Sequence, residues 1–436
     1  MNPEQRSMTI IAPILPGREE ALKSLLREIG NDVENNPCIR FPEFPPVHFA
    51  RWVVIPPPDP SGPAGPPFQL AFGTDHDGPD EQLLGQMAAK AMDALDAIYS
   101  HCDGWPGPGN ADRAVTYLLN RRIPYGARHI ACRRLTVQDL KDAVTARGRM
   151  ETYIDTVVRP TRAGRGDGLS DSDARRQMGV LRDYAEPIPR IPPPPARWVV
   201  AVAAVGAAGV IGGLSLLFRR SPALGRLGVA ALVGLPALFL AALRRHETAD
   251  KEGWVEATPP TLEHLRELRD WEDHKVQNQM THVVAVKPGL FRRLTLGGVL
   301  GAVNFLARSL WNRGELGGIP TIHFARWMLI DGGKRLLFFS NFDGSWENYL
   351  SDFIDRASAG LTGVWSNTVG FPPTQYLIND GSRRVEAFKN WTRKNQIETQ
   401  VWYSAYPDVS VVNLLDALAL SRPPAPGTER ALLGKL

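Results

Sequence analysis

Cysteine is scarce in this chain, and what there is lies early: Cys38, Cys102 and Cys132. Three thiols without Cys-x-x-Cys spacing exclude a disulfide framework and a structural zinc site, and fit free thiols in a reducing compartment. Runs of lysine, zinc-finger spacing and RNP-like strands are missing too, so nucleic-acid binding has no footing even at a net charge of +4. No GxSxG, HExxH, P-loop or strand-following GxGxxG stands in a supporting context, so no motif names a reaction. The opening Met1-Asn2-Pro3-Glu4-Gln5-Arg6-Ser7 lacks the layout of a secretory leader, and the apolar run that follows is broken by Pro13, which gives a cytoplasmic first domain as the expectation.

Charge is absent from two further stretches, Trp198 to Phe218 and Leu227 to Leu243. The first reaches the roughly 20 residues of a straight membrane span, and the second sits near the lower limit of about 17. Arg197, Arg219, Arg220, Arg226, Arg244 and Arg245 stand at their ends, where lipid headgroups would be. The expectation is a transmembrane hairpin with both large domains on its cytoplasmic side; a buried soluble hairpin is the competing reading. Gly209 and Gly213 have the small-xxx-small spacing that seats a neighbouring helix. Positive charge beside these segments suits anionic lipid.

Between absences, the chain says one thing twice. Val47-His48-Phe49-Ala50-Arg51-Trp52-Val53 returns as Ile322-His323-Phe324-Ala325-Arg326-Trp327-Met328. Phe72-Gly73-Thr74-Asp75-His76-Asp77-Gly78 returns as Phe338-Phe339-Ser340-Asn341-Phe342-Asp343-Gly344, and at the same offset Tyr99, Trp105 and Pro106 fall on Trp365, Phe371 and Pro372. At 436 residues, 43% hydrophobic and 22% charged, the chain has room for two or three domains. Each copy reads as strand, helix, strand, strand, helix, strand, the order of the split βαβ unit. Gly332-Gly333 centres a hairpin turn; in the first copy a Pro/Gly-rich insertion, Pro56 to Pro67, lengthens that turn.

The expected fold class is therefore α+β: two ferredoxin-like domains from an internal duplication, packed as a pseudo-dimer, with the membrane hairpin between them. The expected boundaries are 1–154 for the first domain, 155–196 for a Pro/Arg-rich linker, 197–245 for the hairpin, 246–279 for a juxtamembrane helix, 280–422 for the second domain and 423–436 for a flexible tail. Leu290 to Trp311 is apolar and glycine-rich with arginines around it. It is either buried or lies in the bilayer interface, apolar side down.

Strand alternation puts His323, Ala325 and Trp327 on one face and Phe324, Arg326 and Met328 on the other. With the turn at Gly332-Gly333, Arg326 faces Phe339, His323 faces Phe342, and Arg326, Asn341 and Asp343 converge; Arg51, Asp75 and Asp77 do likewise in the first copy. Either the arginine clamps the Asp-Gly turn, with Asp343 capping the helix that starts near Ser345, or the Arg–Asp pair serves a bound ligand. His48 and His323 carry the same choice between a hydrogen-bonded core residue and a ligand, with His48, Arg51, Asp77 and Trp327 as binding candidates.

The duplicated split βαβ units, the Asp-Gly turn and the strand arginine resemble the dimeric α+β barrel superfamily, which includes the dye-decolourising peroxidases and chlorite dismutases. The peroxidase signature Gly-x-x-Asp-Gly is one residue longer here, from Gly73 to Gly78, and Phe339 stands where the second copy would carry its first glycine. Members bind haem between sheet and helices with a proximal histidine and a distal aspartate or arginine. The resemblance implies a membrane-associated, peroxidase-like or oxygenase-like oxidoreductase acting on a hydrophobic compound. His323 would be the haem ligand candidate, and Arg326, Asn341 and Asp343 its catalytic partners. The other expectation is a non-catalytic lipid- or small-ligand-binding membrane module or scaffold.

Overall fold

The computed structural model describes residues 4–58, 67–158, 170–189, 191–192, 198–256 and 258–436. Most of the expected Pro56–Pro67 loop, residues 159–169, 190 and 193–196 of the expected linker, and Arg197 lie outside the described residues. The protein is a mixed α+β molecule with a helical hairpin inserted between its two sheet-forming parts.

Eleven described strands are β1 Gln5–Pro13, β2 Val47–Ile55, β3 Gln69–Asp77, β4 Ala127–Ile130, β5 Gln277–Ala285, β6 Ile322–Ile330, β7 Arg335–Asp343, β8 Thr374–Gln375, β9 Asn379–Asp380, β10 Gln396–Ile397 and β11 Val401–Ser404. The long ones are rich in aromatic and β-branched residues, which suit a pleated, buried surface. The first sheet runs β1-β3-β2-β11 and the second β10-β5-β7-β6-β4, all antiparallel.

The last strand of each half completes the other half's sheet. β4, from the first half, pairs with β6; β11, from the second, pairs with β2. Just before these crossings the chain still touches its own first strand. Ile11 N–H donates to Arg121 O and Ile123 N–H to Thr9 O, while β10 pairs with β5. Each straddling segment thus stitches one seam, and the two sheets close around a shared interior. Two self-contained ferredoxin-like units would keep the last strand wholly beside their own first strand; here only its first few residues stay.

The β6–β7 register places Arg326 opposite Phe339, as the hairpin centre predicts, but a bulge between Ile322 and Phe324 puts Ile322, not His323, opposite Phe342. The same bulge falls between Val47 and Phe49 in β2. An extra residue breaks the alternation. His323 accordingly leaves the face of Ala325 and Trp327, which pack under the outer helices, and meets Phe49, Tyr406 and Asp343 at the inner end.

Helices cover the outer faces. Glu19–Asn31, Asp80–Lys90, Met92–Tyr99 and Ala111–Leu119 lie over the first sheet; Leu290–Ser309, Trp346–Arg356, Ser358–Trp365 and Val385–Asn395 lie over the second. Val137–Tyr153 opens with a capping box, Thr136 and Asp139 satisfying each other's backbone N–H, and packs on Val411–Ser421. Part of the expected linker is a helix, Asp171–Tyr184, capped by Ser170, and part of the expected tail is another, Glu429–Leu433. Met178 and Leu181 of the former share a cluster with Met150, Leu420 and Leu432, burial enough to order both segments.

Val199–Arg220 and Pro222–Glu252 meet at Ser221, so the two charge-free stretches are joined through a single non-helical residue. Pro222 suits the first helical position, where its missing N–H costs nothing. Among the described residues two helices, Pro222–Glu252 and Leu290–Ser309, are long and apolar enough to cross a membrane; their most apolar windows are 6% and 33% buried. Among the described residues a Cβ added at Gly209 or Gly213 would meet nothing within 4 Å; the close approaches between the hairpin helices fall at Gly225, against the Phe218 ring, and at Gly228, against Leu214 and Leu217. Of the expected juxtamembrane helix, Leu262–Arg269 forms, and Gln277 already begins β5.

Candidate functional site

Of the expected cluster, Arg326 and Asn341 meet through Asp75 of the other sheet, the Asn341 amide nitrogen donating to Asp75 Oδ2 at 3.4 Å, while Asp343 stands apart, because the arginines cross the interior. Arg326 Nη1 donates to Asp75 Oδ1 at 2.6 Å, with Nε on Thr9 Oγ1 at 3.0 Å. Arg51 reaches the other way, to Met280 O at 3.0 Å, Ser340 O at 2.9 Å and the Asn341 amide oxygen. Both guanidiniums lie over the Phe339 ring, 4.8 and 5.2 Å from its centre. That ring fits because Gly73 faces it: a Cβ there would sit 2.6 Å from Arg326 Nη2 and 2.8 Å from Phe339. The glycine of the expected signature thus makes room for the phenylalanine that stands in its place in the other half. Burial and the neighbouring Arg326 push Arg51 down to about 9, still charged at neutral pH.

Asp77 and Asp343 do a different job. His48 Nε2 meets Asp77 Oδ1 at 3.1 Å, and the other carboxylate oxygen accepts from Val137 N–H at 2.9 Å. His323 Nε2 meets Asp343 Oδ1 at 2.7 Å, and Asp343 Oδ2 accepts from Val411 N–H at 2.7 Å. Each bulge histidine therefore holds an aspartate that anchors the first turn of the helix following a straddling strand. Asp343 does not cap the helix near Ser345, which Ser345 caps itself. Tyr406, missed by the sequence reading, closes the group: its hydroxyl meets His48 Nδ1 at 3.0 Å, and burial pushes its acidity well below that of an ordinary phenol. No local signal marks Tyr406; only the strand crossing brings it there.

These surroundings do not fit haem. The His323 ring is walled by Phe49 and Tyr406, with ring centres 5.4 and 5.9 Å away, and its Nε2 is taken by Asp343. A macrocycle has no open edge of the imidazole to approach. Among the described residues no group of three or more His, Cys, Asp or Glu is arranged to hold a metal ion. Val53, Ile55, Ala71, Met328, Leu337 and Phe339 fill the neighbouring stretch between the sheets.

Open space lies outside the second sheet. A cavity of about 420 Å³ is walled by Val299, Ala302, Val303 and Leu306 of Leu290–Ser309, by Trp311, Leu316 and Gly317, by Trp327 of β6, by Phe353, Ala357, Gly360, Gly363 and Val364, and by Leu377 and Ile378. Arg356 is its one charged lining residue. This volume lies in the range of small-molecule pockets. Of the residues expected to bind a ligand, Trp327 lines it; His48, Arg51 and Asp77 belong to the interior. Gly298 and Gly301 keep the outer side of Leu290–Ser309 thin, while Leu290 and Leu294 stand exposed on it at 72% and 66%.

A second, smaller void of about 10 Å³ adjoins the first across Phe353, Leu361 and Trp365. His282 borders it, buried between Trp365 and Trp391 with ring centres 4.8 Å away on both sides, and neither ring nitrogen has a hydrogen-bond partner among the described residues. Burial pushes His282 down to about 3, so its imidazole is neutral at ordinary pH. Compared with protein-family models, curated proteins and solved structures, the chain matches none, and its own geometry carries the functional reading.

Proposed function

We propose that this protein is a membrane-associated module that binds a hydrophobic small molecule in the chamber outside its second sheet. The observation that carries this reading is the shared wall: the helix that lines the chamber, Leu290–Ser309, is also apolar enough for the bilayer and leaves Leu290 and Leu294 uncovered. Phe291 packs on Phe239 and His246 of the hairpin, and Trp198 packs on Phe305, so the helix sits at the hairpin's base. A lipophile leaving the acyl region would meet this helix first. Because the hairpin helices join at Ser221, both sheet-forming parts would lie on one side of the membrane.

The matching sheet orders, paired bulges and reciprocal arginines support a finer fold reading. The halves are products of an internal duplication, each built on a split βαβ plan whose last strand is exchanged. The interior is the part both halves share, and it is filled; the chamber belongs to one half, as a binding site would.

Gly363 tests the reading. It lines the chamber, and a Cβ there meets only ordinary contacts at 3.6 and 3.7 Å. Gly363→Phe should fill the space and lower the affinity for N-phenyl-1-naphthylamine by about tenfold or more, read as fluorescence against empty nanodiscs. Unchanged affinity in a folded variant would remove the chamber from consideration.

A further inference from the structure

The bare surface of the hairpin's second helix ends at a definite turn. On Pro222–Glu252, Leu238, Phe239 and Leu240 are 68%, 41% and 45% exposed, whereas Leu243 is 1% exposed. Leu243 is also the last residue of the charge-free stretch, and Arg244 and Arg245 follow it. On the membrane reading, this turn stands at the lipid headgroups.

The ribbon of β8 and β9 meets the helix at that turn. The residues joining its strands, Tyr376-Leu377-Ile378, are tied there. The Tyr376 ring centre lies 4.9 Å from Arg244 Cζ, and the Tyr376 and Leu377 amides donate to the Glu247 carboxylate. Arg244 and Glu247 are three residues apart, so the ribbon's tip lies within roughly 5 Å of the headgroup level along the helix axis.

This tip has the wrong composition for water. Tips that face water favour Gly, Asn, Asp or Ser. Here Gln375 to Asn379 carries no charge, and Tyr376 and Ile378 are 53% and 46% exposed. The chain accepts left-handed backbone at Tyr376 and Leu377, where glycine would cost less. A tyrosine beside an arginine, followed by leucine and isoleucine, suits the boundary between headgroups and acyl chains. The tip is also the chamber's edge. Leu377 and Ile378 line the chamber, and a Cβ built on Gly363 would lie 3.6 Å from Ile378 and 3.7 Å from Val299 of Leu290–Ser309.

Resting on the membrane part of the reading above, we propose that the Tyr376-Leu377-Ile378 turn is a second contact with the bilayer, inserted at the headgroup boundary beside the base of the hairpin. The chamber then has lipid against two of its walls, Leu290–Ser309 on one side and this turn on the other. A second copy of the chain is a poorer occupant. Three residues at the tip of a ribbon offer far less than the roughly 800 Å² per partner of a stable interface.

The test places one nitrobenzoxadiazole label on the full chain in nanodiscs, in a Cys38→Ser background, since Cys102 and Cys132 are buried. Labels on Ile378→Cys and, separately, on Tyr376→Cys should be quenched by phosphatidylcholine carrying a nitroxide high on its acyl chain. They should also lose most of the iodide quenching seen on Val255→Cys, a site 83% exposed beyond the hairpin's last turn. Leu238→Cys, on the bare part of the hairpin, gives the reading for full lipid contact. Iodide quenching at 376 and 378 as strong as at 255, with lipid quenching at 238 intact, overturns the proposal and leaves the hairpin in the membrane. Shielding from iodide without quenching by the nitroxide lipid would mean that protein covers the turn, a second copy included, and overturns it too. Absence of lipid quenching at 238 removes the membrane reading itself, and this inference with it.

Discussion

His282 shows what one residue costs this fold. It faces Phe338 on the outer side of the second sheet, where Ile10 faces Phe72 on the first, so an isoleucine fits the plan. An unpartnered imidazole in an aromatic box is unfavourable, and its pH dependence has a definite sign. The folded state holds His282 neutral down to about pH 3, whereas the unfolded chain takes up a proton near the ordinary histidine value. Between those limits the unfolded state binds more protons. Stability attributable to this residue is present above about pH 6.5 and is lost toward pH 3 at up to about 1.4 kcal/mol per pH unit. His282→Ile should therefore flatten the fall in stability between pH 7 and pH 5 in chemical unfolding of the detergent-solubilised chain. His129, which burial also pushes down to about 3, keeps its own share. An unaltered slope would show that a water or a ring nitrogen contact already compensates His282. At this scale the sequence was informative about identity and silent about partnership. Arg51, Arg326 and Asp343 are buried, Asp77 is half-buried, and all four are engaged, yet each arginine's partners sit on the opposite sheet, where no local spacing points.

At the scale of elements, the hairpin's second helix is fastened to the chamber by its last turns. Glu247 is almost wholly buried, pairs with Arg244 at 2.6 Å, and accepts from Leu377 N–H at 2.7 Å, Tyr376 N–H at 3.0 Å and Thr374 Oγ1 at 3.2 Å. Tyr376 and Leu377 sit at φ of 52° and 71°, left-handed backbone that side chains other than glycine adopt only when held. Leu377 and Ile378 are chamber walls, so the grip couples the hairpin's second helix to the pocket. Glu247→Ala strands two backbone N–H groups and should cost about 1–3 kcal/mol locally. Amide exchange at residues 376–378 should quicken more than tenfold in the variant; unchanged exchange would mean the loop holds its own shape. Elements were the most legible level of the sequence. The β6–β7 hairpin centre, the helix-length segments and the charge-free stretches all stand near their expected places. What escaped was any departure by a single residue. The paired bulges turn His48 and His323 inward, because period-two alternation has no way to announce an extra residue. The Asp171–Tyr184 helix escaped for the opposite reason: its charged composition resembles a linker, and distant Met150 and Leu420 supply the surface that orders it.

The whole molecule is governed by the two crossings. β4 and β11 each belong to one half by sequence and to the other by hydrogen bonding. Such pairings join residues hundreds of positions apart, and local periodicity carries no trace of them. They also make the halves mutually dependent. Without residues 258–436, β2 would expose a bare edge, Asp75 would lose the Arg326 guanidinium, and Arg51 would keep its charge in the interior with none of its present acceptors. Removing one partner of a buried ion pair typically costs about 3–5 kcal/mol, a large part of a domain's usual margin of about 5–15. Residues 1–192 expressed alone should be aggregated or non-cooperative on heating, and residues 258–436 alone likewise. Produced together, without the hairpin that joins them, they should recover one complex that elutes as a single species and melts in one transition. The hairpin supplies proximity, while the seams supply the fold. A monomeric first half that unfolds cooperatively on its own would contradict this account, since the structure gives it no fourth strand along β2 and, without Arg326, leaves the buried Asp75 no cationic partner, with only the Ser7 hydroxyl from its own half.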